Sequence, residues 1–217
     1  MNEPFMVKDC ALIAIATGMR AQNLRELRDR LRDIDLNCIY YHFWGSLLRP
    51  RFDDPEYHND FAIWVAHSLH NKTLAERLAV IDPAAFDSMA SLRDELIEVI
   101  EENLDQTEFP KWAERDDQFE FIRSQIVVFD TQMRVEEPSE LADILLRMSV
   151  GSIFYHFIDA RRRRENGLDD FQNWLSVFGG TFEDLRRRIK QIDPYFTPLT
   201  RLRRELTGIF RDHFGNR

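Results

Sequence analysis

Two histidines, His42 and His156, lie in matching aromatic runs, Ile39-Tyr40-Tyr41-His42-Phe43 and Ile153-Phe154-Tyr155-His156-Phe157. An imidazole changes charge near neutral pH. A histidine inside an apolar run is therefore either an acid–base or ligand-contacting group, or a buried residue whose ring nitrogens are bonded to backbone or to a carboxylate. Asp60 is the carboxylate that suits the second case. Consecutive helical positions diverge by about 100°, so Tyr41 and His42 should not enter one core together. At least one of them is expected to face an edge, a groove or the other repeat, and we count Tyr41, His42, Tyr155 and His156 as candidate binding residues.

A second group of reactive side chains follows the first triplet. The stretch 49–60 is dense in Arg, Asp, His and Tyr, and loops of that composition bind ligands or partners as readily as they connect helices. Its candidates are Arg49, Arg51, Asp53, Asp54, His58 and Asp60. His67 and His70 are spaced to share a helix face, and with His42, His58 and Asp60 they could form the His/Asp metal cluster of a helical phosphohydrolase. No Gly-rich phosphate loop, Gly-x-Ser-x-Gly elbow or Cys-x-x-Cys pair is present, and we expect no cofactor.

The elements that position these residues occur twice. Displaced by 114 residues, Phe5–Phe43 matches Phe119–Phe157 at 12 of 39 positions, where unrelated segments would match at about two or three. The echo resumes with Asp60-Phe61-x-x-Trp64 against Asp170-Phe171-x-x-Trp174, Ile81-Asp82-Pro83 against Ile192-Asp193-Pro194, and Leu92-Arg93-x-Glu95-Leu96 against Leu202-Arg203-x-Glu205-Leu206. We expect a mainly α protein, a tandem duplication of two helical units of about 95 residues packed pseudo-symmetrically, each opening with a short strand. The units are 1–104 and 118–217, joined by a linker over 105–117.

Within a unit, the β-branched stretch Gln125–Asp130 marks the strand, and Thr17-Gly18 reads as the turn after it. Asn23 with Glu26 should open the first helix, whose inward stripe is Leu24, Leu27, Leu31 and Ile34. The second starts near Asn37. Asp60 and Asp170 are expected to cap the third, and Thr73 with Glu76 the fourth. The last runs from about Ser88 to Leu104, and from Pro198 to Phe214 in the second copy.

Charge is unevenly placed. The net charge of -9 resides wholly in residues 1–108, while residues 161–217 carry 13 basic against 8 acidic groups. The runs Arg161–Arg164 and Arg186–Arg188 are either solvated helix faces or surfaces for an anionic ligand or the acidic half of a partner subunit. A pI near 5.2 argues against nucleic acid. No apolar run reaches membrane-spanning length, and the N-terminal residues lack the order of a secretory signal, so a cytoplasmic protein is expected. Cys10 and Cys38 are replaced by Ser124 and Ser152 in the second copy. Two free, buried thiols are expected.

The segments Ala16-Thr17-Gly18, Asn23–Leu27, Ile39–Trp44, Leu48–Pro50, Phe52–Tyr57 and Asn59-Asp60-Phe61 resemble an uncharacterised prokaryotic family, a domain of unknown function. The resemblance implies a cytosolic bacterial or archaeal protein and brings no catalytic residues. The first functional reading is a non-enzymatic, regulatory or small-molecule-binding protein that holds a small anionic metabolite or a partner protein. The alternative is a metal-dependent hydrolase with its site in the first repeat, using His42, His58, Asp60, His67 and His70. A third is a scaffold that forms a salt-sensitive homo-oligomer.

Overall fold

The computed structural model describes residues 3–48, 56–106 and 111–215. It is mainly helical, with one two-stranded sheet. The chain order is β1 (Phe5–Ala21), α1 (Leu24–Asp33), α2 (Leu36–Trp44), α3 (Asp60–His67), α4 (Lys72–Ala79), α5 (Met89–Asp105) and β2 (Phe119–Val135). Then come α6 (Leu141–Arg147), α7 (Val150–Ile153), a π-helical turn (Phe154–Asp159), α8 (Ala160–Arg163), α9 (Asp170–Ser176), α10 (Glu183–Lys190) and α11 (Leu199–Phe214).

The strands are longer than the sequence suggests. Thr17-Gly18 does not end β1, because the chain continues extended to Ala21. Gly18 sits at φ +76 and Gln132 of β2 at φ +64, which are left-handed kinks inside strands of the kind that marks a β-bulge. The threonine ahead of each kink serves two bonds. Thr17 Oγ1 accepts from the Met19 amide and donates to the Phe121 carbonyl at 2.7 Å. Thr131 Oγ1 accepts from Met133 N–H and donates to the Val7 carbonyl at 2.6 Å. In both strands the side chain thus ties the kink to a main-chain carbonyl.

Two compact units divide the chain, and their boundaries fall inside the strands. One is Leu12–Gln125; the other is Met1–Ala11 together with Ile126–Arg217. The first holds α1–α5 with the opening residues of β2, and the second holds α6–α11 with the opening residues of β1. Each set of helices is thus closed by the beginning of a strand that is remote in sequence.

The helices start where local chemistry directs, with four corrections. Asn23 caps α1 by accepting from Glu26 N–H, and Leu24, Leu27, Leu31 and Ile34 are buried as the spacing requires. The second helix is capped by Asp35, ahead of Asn37. The third is capped by Asn59 and not Asp60; α9, likewise, is capped by Asp169 and not Asp170. Asn71, not Thr73, caps α4 by accepting from Leu74 N–H. In each case a residue one or two positions ahead of the expected cap supplies the side-chain acceptor, and Asn59 and Asp169 also have the extended backbone that the role favours. Ser88 and Pro198 precede α5 and α11 as expected. No helix among the described residues is long and apolar enough to cross a membrane.

Candidate functional site

His42 lies on α2 and is 2% exposed. Its Nδ1 is 2.9 Å from the Asp60 carboxylate, and its Nε2 accepts a 3.1 Å hydrogen bond from the Ile122 backbone N–H. A nitrogen that accepts cannot carry a proton. The ring is therefore neutral, with its proton on Nδ1 pointing at Asp60. Freed from capping by Asn59, Asp60 stands in the first turn of α3 with its carboxylate on the ring. Phe61 stacks on Phe119 at 5.1 Å between centroids, and Trp64 Nε1 donates to the Asp117 carbonyl at 2.7 Å. One turn and a half of α3 thus holds the imidazole and the start of β2 together.

His156, in the other unit, is 3% exposed and bonded in the same pattern. Its Nδ1 is 2.8 Å from Asp170, and its Nε2 accepts from the Lys8 backbone N–H at 2.8 Å. Phe171 stacks on Phe5 at 5.2 Å, and Trp174 Nε1 donates to the Glu3 carbonyl at 2.9 Å. Here the ring projects from a π-helical turn. Such a turn closes i→i+5 hydrogen bonds and so widens the helix by one residue.

Around Asp170 the arginine run closes in. Arg164 reaches it at 2.6 Å and Arg163 at 3.1 Å; Arg163 also binds Asp159 at 2.7 Å and lies over the Tyr155 ring. Arg162 pairs with Asp159, and Arg161 approaches Asp169 at 3.5 Å while covering the Phe157 ring. The run is neither a bare solvated face nor an open anion surface, because each guanidinium is folded onto a buried carboxylate. Burial alone would raise the Asp170 carboxyl. The hydrogen bond from His156 and the two guanidiniums outweigh it and hold the group below the ordinary carboxylate range. Asp169 has the opposite balance: nearly full burial pushes it up against the Gln172 amide and Arg161 that oppose the rise.

Cys10 and Ser124, at matching positions, both face carbonyls. Cys10 Sγ donates to Gly151 O at 3.3 Å, and Ser124 Oγ donates to Asn37 O at 3.1 Å. Cys10 and Cys38 are free and buried. Burial, followed by the nearby Asp159 and Asp9, pushes the Cys10 thiol up to about 12; burial and then Asp35 push Cys38 to about 11. Neither is a thiolate nucleophile at neutral pH.

At least one of Tyr41 and His42 is expected at an edge, a groove or the other repeat, and His42 meets Phe119 and the Ile122 amide of the stretch read as the second copy. Both are buried, as are Tyr155 and His156. A helix flanked on two sides by helices and strand buries more than one stripe. Arg49, Arg51, Asp53 and Asp54 lie outside the described residues. The backbone carbonyl of half-buried His58 accepts from Ser46 Oγ at 3.2 Å. The helical alignment of His67 with His70 is also corrected, because α3 ends at His67 and His70 follows at φ +49, with both exposed. Among the described residues no three His, Cys, Asp or Glu side chains are grouped to hold a metal ion.

Reading the sequence alone misses Asp159, Arg163, Arg164 and Gly151, along with the two backbone amides. The amides carry no sequence signal at all. Arg163 and Arg164 were visible only as part of a run.

The fold defines a mainly helical protein with one small two-stranded sheet. Residues 2–211 match a family of unknown function (DUF5752), and the chain belongs to it. OrfY from Thermoproteus tenax, a solved structure, is similar over 98% of this chain and 97% of that one, with 27% identity and a TM-score of 0.83. No curated protein matches.

Proposed function

We propose that this is a non-enzymatic regulatory or binding protein, in which the histidine–aspartate pairs hold the fold together and recognition occurs elsewhere on the surface. One observation carries the reading: each imidazole is buried with both nitrogens engaged inside the protein. A general base needs a nitrogen within reach of substrate, and neither ring offers one. The ligand we favour is a small anionic metabolite or a partner protein, met by the Arg- and Asp-rich segment 49–60. The setting is a prokaryotic cytoplasm, with a homo-oligomer as the form to look for.

We also read the chain as an internal duplication of two pseudo-symmetric units. The boundaries of descent are 1–104 and 118–217, with 105–117 as the linker. Matching bonds at 114-residue spacing support this, such as Thr17 with Phe121 O beside Thr131 with Val7 O. On this reading the copies have exchanged the openings of their strands, which is why boundaries of descent and boundaries of contact differ.

A thermal-shift screen of the full chain against anionic metabolites tests the binding function. A ligand at about 100 times its dissociation constant should add about 2.7 kcal/mol. Metal analysis of untagged protein gives the contrary outcome: near-stoichiometric Zn, Mn or Fe, with hydrolysis of a phosphoester that chelation abolishes, would replace this reading by the hydrolase.

A further inference from the structure

We infer that His156 is an acid-sensitive latch on the opening segment of β1. The ring already carries its proton on Nδ1, where it meets Asp170. A second proton can land only on Nε2. That nitrogen is the acceptor for the Lys8 amide, and a protonated ring nitrogen is a donor with no lone pair to offer. Charging the ring and holding residue 8 are mutually exclusive.

The surroundings decide which partner yields. Asp170 of α9 is already met by Arg163 and Arg164, so its charge is largely spent before a second imidazole proton arrives. From the same turn as His156 come Tyr155 and Asp159, the latter taken by Arg162 and Arg163. Asp169, which caps α9, is met by Arg161. From β1 come Lys8, Asp9 and Cys10; Asp9 accepts from Ser149 Oγ, and Cys10 donates to Gly151 O. Each of those groups keeps its partner when the ring is charged. The Lys8 N–H alone loses its acceptor.

Besides the Lys8 bond to the ring, residues 3–10 are held to this unit by the Phe5 stack, the Trp174 bond to Glu3 O, the Thr131 bond to the Val7 carbonyl and the contacts of residues 9 and 10. Losing one hydrogen bond of about 1 kcal/mol from so short a segment loosens it by about fivefold while leaving the helices in place. The segment is docked with the neutral ring and loosens once the ring takes a second proton. Its exposure would uncover Phe5, Phe171 and the ring itself. The latch would couple acidity to an apolar surface.

The test is amide hydrogen exchange on the full chain, corrected for the intrinsic pH dependence. Between about pH 7.5 and 5, protection at Lys8 should fall at least about fivefold more than at Leu206 in α11. His156→Gln offers an amide oxygen that accepts but does not titrate, and it should flatten the Lys8 response. Equal loss at Lys8 and Leu206, or the same loss in His156→Gln, overturns the latch. Should that variant not fold, ring ¹⁵N shifts of the wild-type chain decide. A neutral ring protonated on Nδ1 at pH 7.5 is required, and a proton on Nε2 at that pH refutes it.

Discussion

Asp60 and Asp170 each hold a histidine, but at different depths. The Asp60 side chain is 21% exposed; that of Asp170 is 8% exposed and bound by two arginines. In both units a neutral imidazole bridges a helix-start carboxylate and a strand amide, with a phenylalanine stack and a tryptophan-to-carbonyl bond beside it. What is shared is the minimum needed to seat a strand opening. Around Asp170 the two arginines supply the charge compensation that a buried carboxylate requires.

Removing each carboxylate breaks the comparison most sharply. Asp170→Ala leaves His156, Arg163 and Arg164 facing an emptied site, and should cost about 3 to 5 kcal/mol in urea unfolding at pH 7. Asp60→Ala should cost about 1 to 3 kcal/mol, since its carboxylate has more access to water. The pH dependence has a definite sign. The folded-state value of Asp170 is depressed, so its contribution is complete above the unfolded carboxylate value, near 3.9, and is lost as pH falls towards the folded one. The gap between wild type and Asp170→Ala should therefore be flat from about pH 7 to 5 and narrow below about 4. Equal losses at Asp60 and Asp170 would mean that the arginine brace does not matter.

Much of the framework was legible in the sequence, because it rests on local chemistry. The α1 stripe Leu24, Leu27, Leu31 and Ile34 is buried as read, and Ser88 and Pro198 mark helix starts that exist. The pairing of His42 with a retained carboxylate was readable too, as one of the ways to satisfy a buried imidazole, with Asp60 the carboxylate that suited it. The strand openings were not. Which helices Phe5 and Phe119 join is a matter of topology, and a backbone amide such as Lys8 N–H has no residue-type signature. Asp60 was misread as a cap because Asn59 offers the same acceptor one residue earlier, and that assignment frees Asp60 for the ring.

Gly151 marks a second asymmetry. A Cβ there would stand 2.5 Å from the Cys10 carbonyl oxygen and closer still to the Asp9 carboxylate. The position 114 residues earlier is Asn37, which has a side chain. The opening of β1 therefore passes closer to its helix than the opening of β2 does. Gly151→Ala must push residues 9 and 10 outward and should cost about 2 to 3 kcal/mol. The accompanying loss of Lys8 amide protection should exceed that at Leu206. A neutral result would show that the strand opening yields without strain.

Truncating the rings probes what the clamps share. His42→Ala and His156→Ala each take the imidazole from a carboxylate and leave a strand amide without its acceptor, at about 1 to 2 kcal/mol. Similar values in paired thermal melts would say that both rings keep the same structural use. Stability unchanged at His42 alone would point instead to a ring retained for a ligand.

The smallest effect tests the likeness most directly. Cys10 and Ser124 occupy the same place along their strands, and each donates to the carbonyl that opens the neighbouring helix region, Gly151 O or Asn37 O. If the two strand openings are seated alike, Cys10→Ser should transfer the Ser124 bond to the other unit. A hydroxyl donates better than a thiol but fills less space, so the two changes oppose each other and stability should move by less than about 1 kcal/mol. Wild-type Cys10, with its thiol pushed up to about 12, should also resist alkylation in the native state at pH 8 and react on unfolding. A loss above about 2 kcal/mol in Cys10→Ser would mean that the sulfur packs in a way the hydroxyl of Ser124 does not. The opening of β1 would then be held by more than the framework that the two units have in common.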